Sequence, residues 1–296
     1  MDGVVVKIPA TTANMGPGFD CVGCALSVYN TITFKKLPSG VIVDGKERNF
    51  PGDKSLVVNA YKTALAELKQ SFSGVSIDIN SQIPVTRGLG SSAAIIVGSV
   101  TAAYLLSGLT PDKQRIFEIA SKIEGHPDNV APAIFGGLTA SFMDGGIPYT
   151  VKYNINEKWN FTALVPNFRL NTTKARAALP RAITVRDAVY NLSRTAVMLK
   201  AFESGDEKML KIAVNDRLHQ PYRKMLIRDY SKIESIAKNL GCTAVYLSGA
   251  GPTIMCISSK ASFANEMAIR LKAEHKNNWE VLPLEVENNG VQYSEL

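Results

Sequence analysis

The spacing of apolar and polar positions changes period several times along the chain, and each change marks an element. Residues 3–8 and 28–36 read as strands, and GVIVDG at 40–45 as a further one. PGDKSLVVNAYKTALAELKQ reads as a helix that Asp53 or Ser55 can cap, with Leu56, Ala60, Leu65 and Leu68 near one face. In GVSIDIN, Val75, Ile77 and Ile79 alternate with polar residues, the pattern of a half-buried strand. The run AAIIVGSVTAAYLLSG is long enough for a helix, apolar nearly all round and closed by Gly108, so it belongs inside. TPDKQRIFEIASKIEG is amphipathic instead. Thr110 is its expected N-cap, Pro111 its first helical residue, Asp112 sits in the first turn and Gly125 ends it, with Ile116, Ile119, Ala120 and Ile123 as the buried stripe.

Strand patterns return over 138–155, and WNFTALVPN starts another apolar strand that leads into a basic helical stretch. A boundary near 155–165 divides the chain into domains 1–160 and 161–296. CTAVYLSGAGPTIMCIS reads as strand, glycine turn, strand; ASFANEMAIRLKAEH as a helix; WEVLPLEVE as a last strand. Strands and helices mixed in irregular order predict an α+β fold rather than a doubly wound sheet.

Composition narrows the class. A chain of 296 residues, 46% of them hydrophobic, is longer than one compact core usually takes. No apolar run reaches the roughly 18 residues of a membrane helix, and the N-terminus enters a strand pattern with no signal segment, so a soluble, cytoplasmic protein is expected. Cys21, Cys24, Cys242 and Cys256 are too scattered for a disulfide framework. Cys21 and Cys24 form C-x-x-C without the second half of a zinc site, so buried thiols are the expectation. The net charge is +7, and Arg169 to Arg228 alone hold 13 Lys and Arg against 5 Asp and Glu. These cations are spaced through helical patterns with few aromatics, which argues for solvated faces with one or two arginines drawn into an anionic site, and against nucleic acid.

PVTRGLGSSAA, residues 84–94, raises the question of chemistry. Glycine lets backbone amides converge without a Cβ in the way, and a helix that starts just after the turn adds its positive end and its unpaired amides. Together they form an anion nest. The turn has no lysine, which excludes a Walker-type loop. Gly88, Gly90 and Ala93 fit G-x-G-x-x-A, but the place of the acidic residue that should follow on a strand, Asp112, opens a helix. A glycine-serine helix cap without a ligand stays open on these residues alone. A serine hydrolase is disfavoured, because G-x-S-x-G is absent and only His126, His219 and His275 could act as base.

PVTRGLGSSAA resembles the P-x-x-x-G-L-G-S-S-A-A signature of the GHMP small-molecule kinases. PATTANMGPGFDCVGCAL near the start and SGAGPT at 248–253 resemble two further motifs of that family, in the same order along most of the chain. PATTANMGPGFD, EGHPDNVAPAIFGG, TTKARAALP, RDAVYNLSR and HQPYR look most like the branch that phosphorylates the side-chain hydroxyl of L-homoserine in threonine biosynthesis, with ATP and Mg²⁺. A mevalonate-type kinase and a non-catalytic nucleotide-binding protein are the alternatives.

The resemblance implies a two-domain GHMP kinase fold, an N-terminal α+β domain and a C-terminal ferredoxin-like α/β sandwich with the active site between them. It implies that Pro84, Val85, Thr86, Arg87, Gly88, Leu89, Gly90, Ser91, Ser92, Ala93 and Ala94 form the ATP site, with Ser92 and Glu118 toward the metal. It puts Asn14, Asp20, His126, Asp128 and Asn129 around homoserine, with Arg176 and Arg223 toward its carboxylate and the transferred phosphate. Glu118 lies opposite the Ile116/Ile119/Ile123 stripe, so this reading needs an open cleft on that side. Asp128 and Asn129 could also simply cap VAPAIF, and Arg176 could be a solvated cation. Direct attack by the hydroxyl is expected, with Thr172 or Thr173 near the transfer site, Arg176 stabilising charge, and Asp20 and Asp128 holding the amine. Homodimers are common among relatives; the sequence shows no interface.

Overall fold

The computed structural model describes residues 2–45, 55–276 and 278–296. The first half holds β1 (Gly3–Ala13), β2 (Val22–Lys36), β3 (Gly40–Gly45), α1 (Leu56–Glu67), β4 (Gly74–Ser81), α2 (Ser91–Leu106), α3 (Lys113–Glu124), α4 (Val130–Phe135), β5 (Leu138–Asp144) and β6 (Ile147–Tyr153). The second holds β7 (Asn160–Pro166), α5 (Thr172–Ala177), α6 (Val185–Ser204), α7 (Glu207–Ala213), α8 (Gln220–Arg223), α9 (Tyr230–Asn239), β8 (Ala244–Leu247), β9 (Ile254–Ser258), α10 (Phe263–Ala273), β10 (Trp279–Leu284) and β11 (Gln292–Glu295). Among the described residues no helix is long and apolar enough to cross a membrane.

Two sheets organise these elements. The first runs β11-β1-β2-β4-β3, with β5 paired to the start of β2 and to β6; only β3 and β4 are parallel. The second runs β10-β7-β9-β8, antiparallel throughout, with α5 to α9 between β7 and β8 and with α10 between β9 and β10. That is the ferredoxin-like order expected of the second half. β11 crosses back to pair with β1, so the last residues of the 161–296 segment complete the first sheet.

Period-two alternation in the second sheet welds the halves together. Phe161, Ala163, Tyr246, Met255 and Ile257 point into a core shared with Met15, Cys24 and Leu26. Their strand neighbours Leu164, Val245, Leu247, Ile254 and Cys256 point the other way, onto Ile233 of α9 and Phe263 and Met267 of α10.

α2 is the inner helix that its composition demands. Every one of its residues except Ser92 is buried. Small side chains let it press close: a Cβ at Gly98 would stand 2.8 Å from Ile8 Cδ1, on β1. Its polar residues are satisfied locally, Ser99 Oγ donating to Ile95 O (2.8 Å) and Thr101 Oγ1 to Val97 O (2.8 Å).

Three local expectations change. β1 and β2 run further than the alternation suggests, to Ala13 and back to Val22, because their inner ends are buried on both faces and lose the period-two signal. α3 begins at Lys113, capped by Asp112 and not Thr110, since the Asp112 carboxylate accepts from the amides of Gln114 (2.9 Å) and Arg115 (3.4 Å). Ser55 is the residue before α1; Asp53, the other expected cap, lies outside the described residues.

Candidate active site

The 84–94 turn enters α2 through left-handed backbone. Gly88 has φ +81°, and Gly90, the N-cap position, φ +69°. A Cβ on Gly90 would run into Thr11 Oγ1, and one on Gly88 would meet the carbonyl oxygens of Ser248 and Gly251, so both positions need glycine. The carbonyls of the turn are taken up by the other two motifs. Leu89 O accepts from Thr11 N (3.2 Å), Arg87 O from Thr253 N (3.2 Å) and Gly88 O from Ser248 Oγ. The amides of Gly88 to Ser92 donate to nothing among the described residues, and they lie at the positive end of a 16-residue helix. Arg87 fastens the turn to the second sheet, donating to Pro166 O and Asn167 O at 2.9 Å each.

These amides open on a cleft of about 240 Å³ between the halves. Of the expected residues, Asn14, Asp20, Val85, Thr86, Arg87, Gly88, Gly90, Ser91, Ser92, His126, Asp128, Asn129, Thr172, Arg176 and Arg223 line it. Leu89, Ala93 and Ala94 do not, because their side chains are buried in the core behind the turn; Pro84 faces a separate groove with Arg169 and Trp279.

Glu118 is the expected residue that the structure does not bring to the cleft. Its carboxylate is bound by Arg115 at 2.7 Å, in an ion-pair group with Glu67 of α1, away from the cleft. The carboxylate that reaches the turn is Glu124, the last residue of α3, whose Oε2 accepts from Ser92 Oγ at 2.8 Å. Burial pushes the Glu124 carboxyl above the usual carboxylate range, with the Ser92 hydroxyl and His126 opposing. The periodicity carries the signal: at 100° per residue Glu118 is about 200° from Ile116, whereas Glu124 is about 80° from it, on the border of the buried stripe.

The other wall is built on the loop after β1. Asn14 and Asp20 both have left-handed backbone (φ +55° and +51°), and Asn14 Oδ1 accepts from Asp20 N at 2.8 Å, which closes the loop on itself. α6 holds it from outside, Asn191 Nδ2 and Thr195 Oγ1 each donating to Pro17 O at 3.2 Å. Asp20 takes both its oxygens to Arg176 Nη2, at 2.9 and 3.0 Å. Arg176 is 46% exposed, so the pair adds little stability and the guanidinium is free to turn toward a ligand.

Asp128 is 1% exposed. Its Oδ1 accepts from the amide of Asn129 (2.9 Å) and lies 3.6 Å from His126 Nδ1. This carboxylate raises the His126 pKa above the ordinary value against the effect of burial. Asn129 is the N-cap residue of α4, but its side chain caps nothing; its Oδ1 accepts from Thr11 Oγ1 at 2.8 Å.

Arg223, on α8, is also 1% exposed. Its Nη1 donates to Gly249 O (3.1 Å), its Nε finds no partner, and no carboxylate pairs with it among the described residues. Burial pushes its pKa down, with the nearby carboxylates of Asp20, Asp128 and Asp216 opposing, and a guanidinium stays protonated, so a full cation waits in the cleft with no carboxylate in contact among the described residues. Free amides, a hydroxyl-carboxylate pair, a buried cation and two further carboxylates in one cleft suit a multiply charged phosphate donor beside a small zwitterionic acceptor.

Residues 55–137 match the family model of the GHMP kinases N terminal domain and 198–276 that of the GHMP kinases C terminal. The chain is 40% identical over 289 residues to a homoserine kinase of Clostridium botulinum, covering 97% of each chain. Its fold is similar to the crystal structure of homoserine kinase from Cytophaga hutchinsonii, with TM-score 0.89, 25% identity and coverage of 99% and 98%. It is also similar to the crystal structure of L. major mevalonate kinase in complex with R-mevalonate, with TM-score 0.75, 16% identity and 95% coverage of both, a likeness of fold alone.

Proposed function

This chain belongs to the GHMP kinases, within their homoserine kinase family, and on that footing we infer that it transfers the γ-phosphoryl group of ATP to the side-chain hydroxyl of L-homoserine. The reaction yields O-phospho-L-homoserine and belongs to threonine biosynthesis. The observation that carries the acceptor half is Arg223, a buried cation with no carboxylate in contact, in one cleft with the free amides of Gly88 to Ser92 and the carboxylates of Asp20 and Asp128.

Homoserine offers a carboxylate for Arg223 and an ammonium for Asp128 and Asp20, with Asn14 fixing the latter's backbone. Mevalonate has no ammonium, so the buried Asp128 would face an uncharged group at a cost. The amides of the turn receive the phosphates. Ser92 and Glu124 fit a magnesium ion and would hold it: they are hard oxygen donors 2.8 Å apart beside those amides. When bound, magnesium neutralises charge on the phosphates.

Phosphoryl transfer through a loose transition state asks mainly for alignment and charge stabilisation. The loop of Asn14 to Asp20 and Arg223 hold the acceptor, and Asn129, fixed by Thr11, stands with Thr172 beside the line of transfer. Arg176 leaves Asp20 for the transferred group when the ammonium takes that carboxylate over. The hydroxyl oxygen attacks phosphorus as the bond to ADP breaks, and its proton passes to the transferred phosphoryl oxygens, so no dedicated base is required.

A coupled ADP-release assay with L-homoserine, L-serine, L-threonine and mevalonate tests this. Homoserine should lead the others in kcat/KM by roughly a hundredfold or more. Preference for mevalonate, or no turnover of any of the four, would refute it.

A further inference from the structure

We propose that His219 is a positioning residue for the acceptor, a neutral imidazole protonated on Nε2 that fixes both the loop carrying Asp20 and the guanidinium of Arg223. The proposal rests on the reading of Arg223 as the receptor of the acceptor's carboxylate.

His219 is fully buried, one turn before Arg223. Its Nε2 lies 2.9 Å from Gly16 O. A carbonyl can only accept, so the proton is on Nε2, and Nδ1 is left with a lone pair. That lone pair faces Arg223 Nη1 at 3.5 Å, and a guanidinium can only donate. The two contacts therefore specify a single tautomer. Asp216 Oδ2 lies 3.6 Å from Nε2 but does not compete for the proton, because the Asp216 oxygens already accept from the amides of Leu218, His219 and Gln220 and from Asn191 Nδ2.

The imidazole also supports Arg223 through a ring. Phe19 stacks on His219, with centroids 5.3 Å apart and planes at 25°, and the guanidinium carbons of Arg223 and Arg176 lie 5.0 and 5.7 Å from the Phe19 centroid. Gly249 O, the His219 lone pair and this aromatic face are the contacts that hold the buried cation among the described residues, with the carboxylates of Asp20, Asp128 and Asp216 acting on it from further off. Burial lowers the His219 pKa, with Asp216 and Asp20 opposing and Arg223 reinforcing it; a second proton, on Nδ1, would put another positive charge against Arg223.

His219→Phe keeps the stack and removes both hydrogen bonds; His219→Asn puts an amide oxygen where Nδ1 stands. In His219→Phe the KM for homoserine should rise about tenfold, the loss of one hydrogen bond to a charged group, with the KM for ATP unchanged and most of the loss recovered in His219→Asn. For 3-aminopropan-1-ol, which keeps the ammonium held by the Asp20 loop but lacks the carboxylate, the same substitution should raise KM by a clearly smaller factor. An unaltered homoserine KM, or equal losses for both acceptors, would overturn the proposal. A second readout needs no variant and no turnover: ¹⁵N spectra of the histidines in the full chain should show His219 neutral and protonated on Nε2 at neutral pH. Protonation on Nδ1, or an imidazolium, would overturn it. Wild-type protein that does not phosphorylate homoserine would instead count against the functional reading, while the spectrum still decides the geometry of His219.

Discussion

Glu124→Gln will fold normally and lose roughly two to three orders of magnitude in kcat, while Glu118→Gln stays within about twofold of the parent protein. The two carboxylates sit on one helix and differ in what they touch. Glu118 is neutralised by Arg115 on the solvated side, whereas Glu124 is bonded to Ser92, the one residue of α2 that is not buried. A glutamine can still accept from Ser92, so the local hydrogen bond survives and only the charge is lost.

Stability should move in the opposite direction to activity. Burial raises the folded pKa of Glu124 above its unfolded value. For a carboxyl raised in this way, the stabilising contribution is complete below the unfolded pKa and is lost as the pH rises through the folded one. At neutral pH the ionised side chain is therefore a cost, which glutamine removes. The melting temperature of ligand-free Glu124→Gln at neutral pH should equal or exceed that of the parent. The acid limb of the parent's rate profile should lie above the ordinary carboxylate range, since turnover needs this group ionised. A variant that melts several degrees lower would show that Glu124 serves the fold instead.

Arg223→Met is the second large effect. It should cut kcat/KM for homoserine by roughly two to three orders of magnitude, because a buried charge-assisted contact to the acceptor disappears and the acceptor's carboxylate is left unpaired. The KM for ATP should change little. Methionine approximates the arginine stem, and it removes a cation that the protein buries with no carboxylate in contact, so the unliganded variant should be about as resistant to urea as the parent. Equal losses for homoserine and for 3-aminopropan-1-ol would mean that Arg223 shapes the cleft rather than reading a carboxylate.

Much of this is legible from residue order alone. The all-round apolar character of α2 marks an inner helix, and three glycine-rich motifs far apart in sequence meet at one turn, as the bonds from Thr11, Ser248 and Thr253 to its carbonyls show. The excess of cations between Arg169 and Arg228 implies solvated faces with one or two arginines drawn inward, and Arg176 and Arg223 are the two that line the cleft. What stays hidden is non-local. The pairing of β11 with β1 depends on a return of the chain that no local period encodes. The motif match to Glu118 obscures Glu124, although the helical angle favours the latter. His219 and Phe19 lie in the matched stretches HQPYR and PATTANMGPGFD, but their roles exist only once the Gly16 loop and α8 are packed together.

A crystal structure of the protein with homoserine, magnesium and a non-hydrolysable ATP analogue tests the central claim most directly. The triphosphate should lie on the amides of Gly88 to Ser92, with its terminal phosphorus in line with the acceptor hydroxyl and the acceptor carboxylate on Arg223. A triphosphate bound elsewhere, or an acceptor turned with its ammonium toward Arg223, would contradict it.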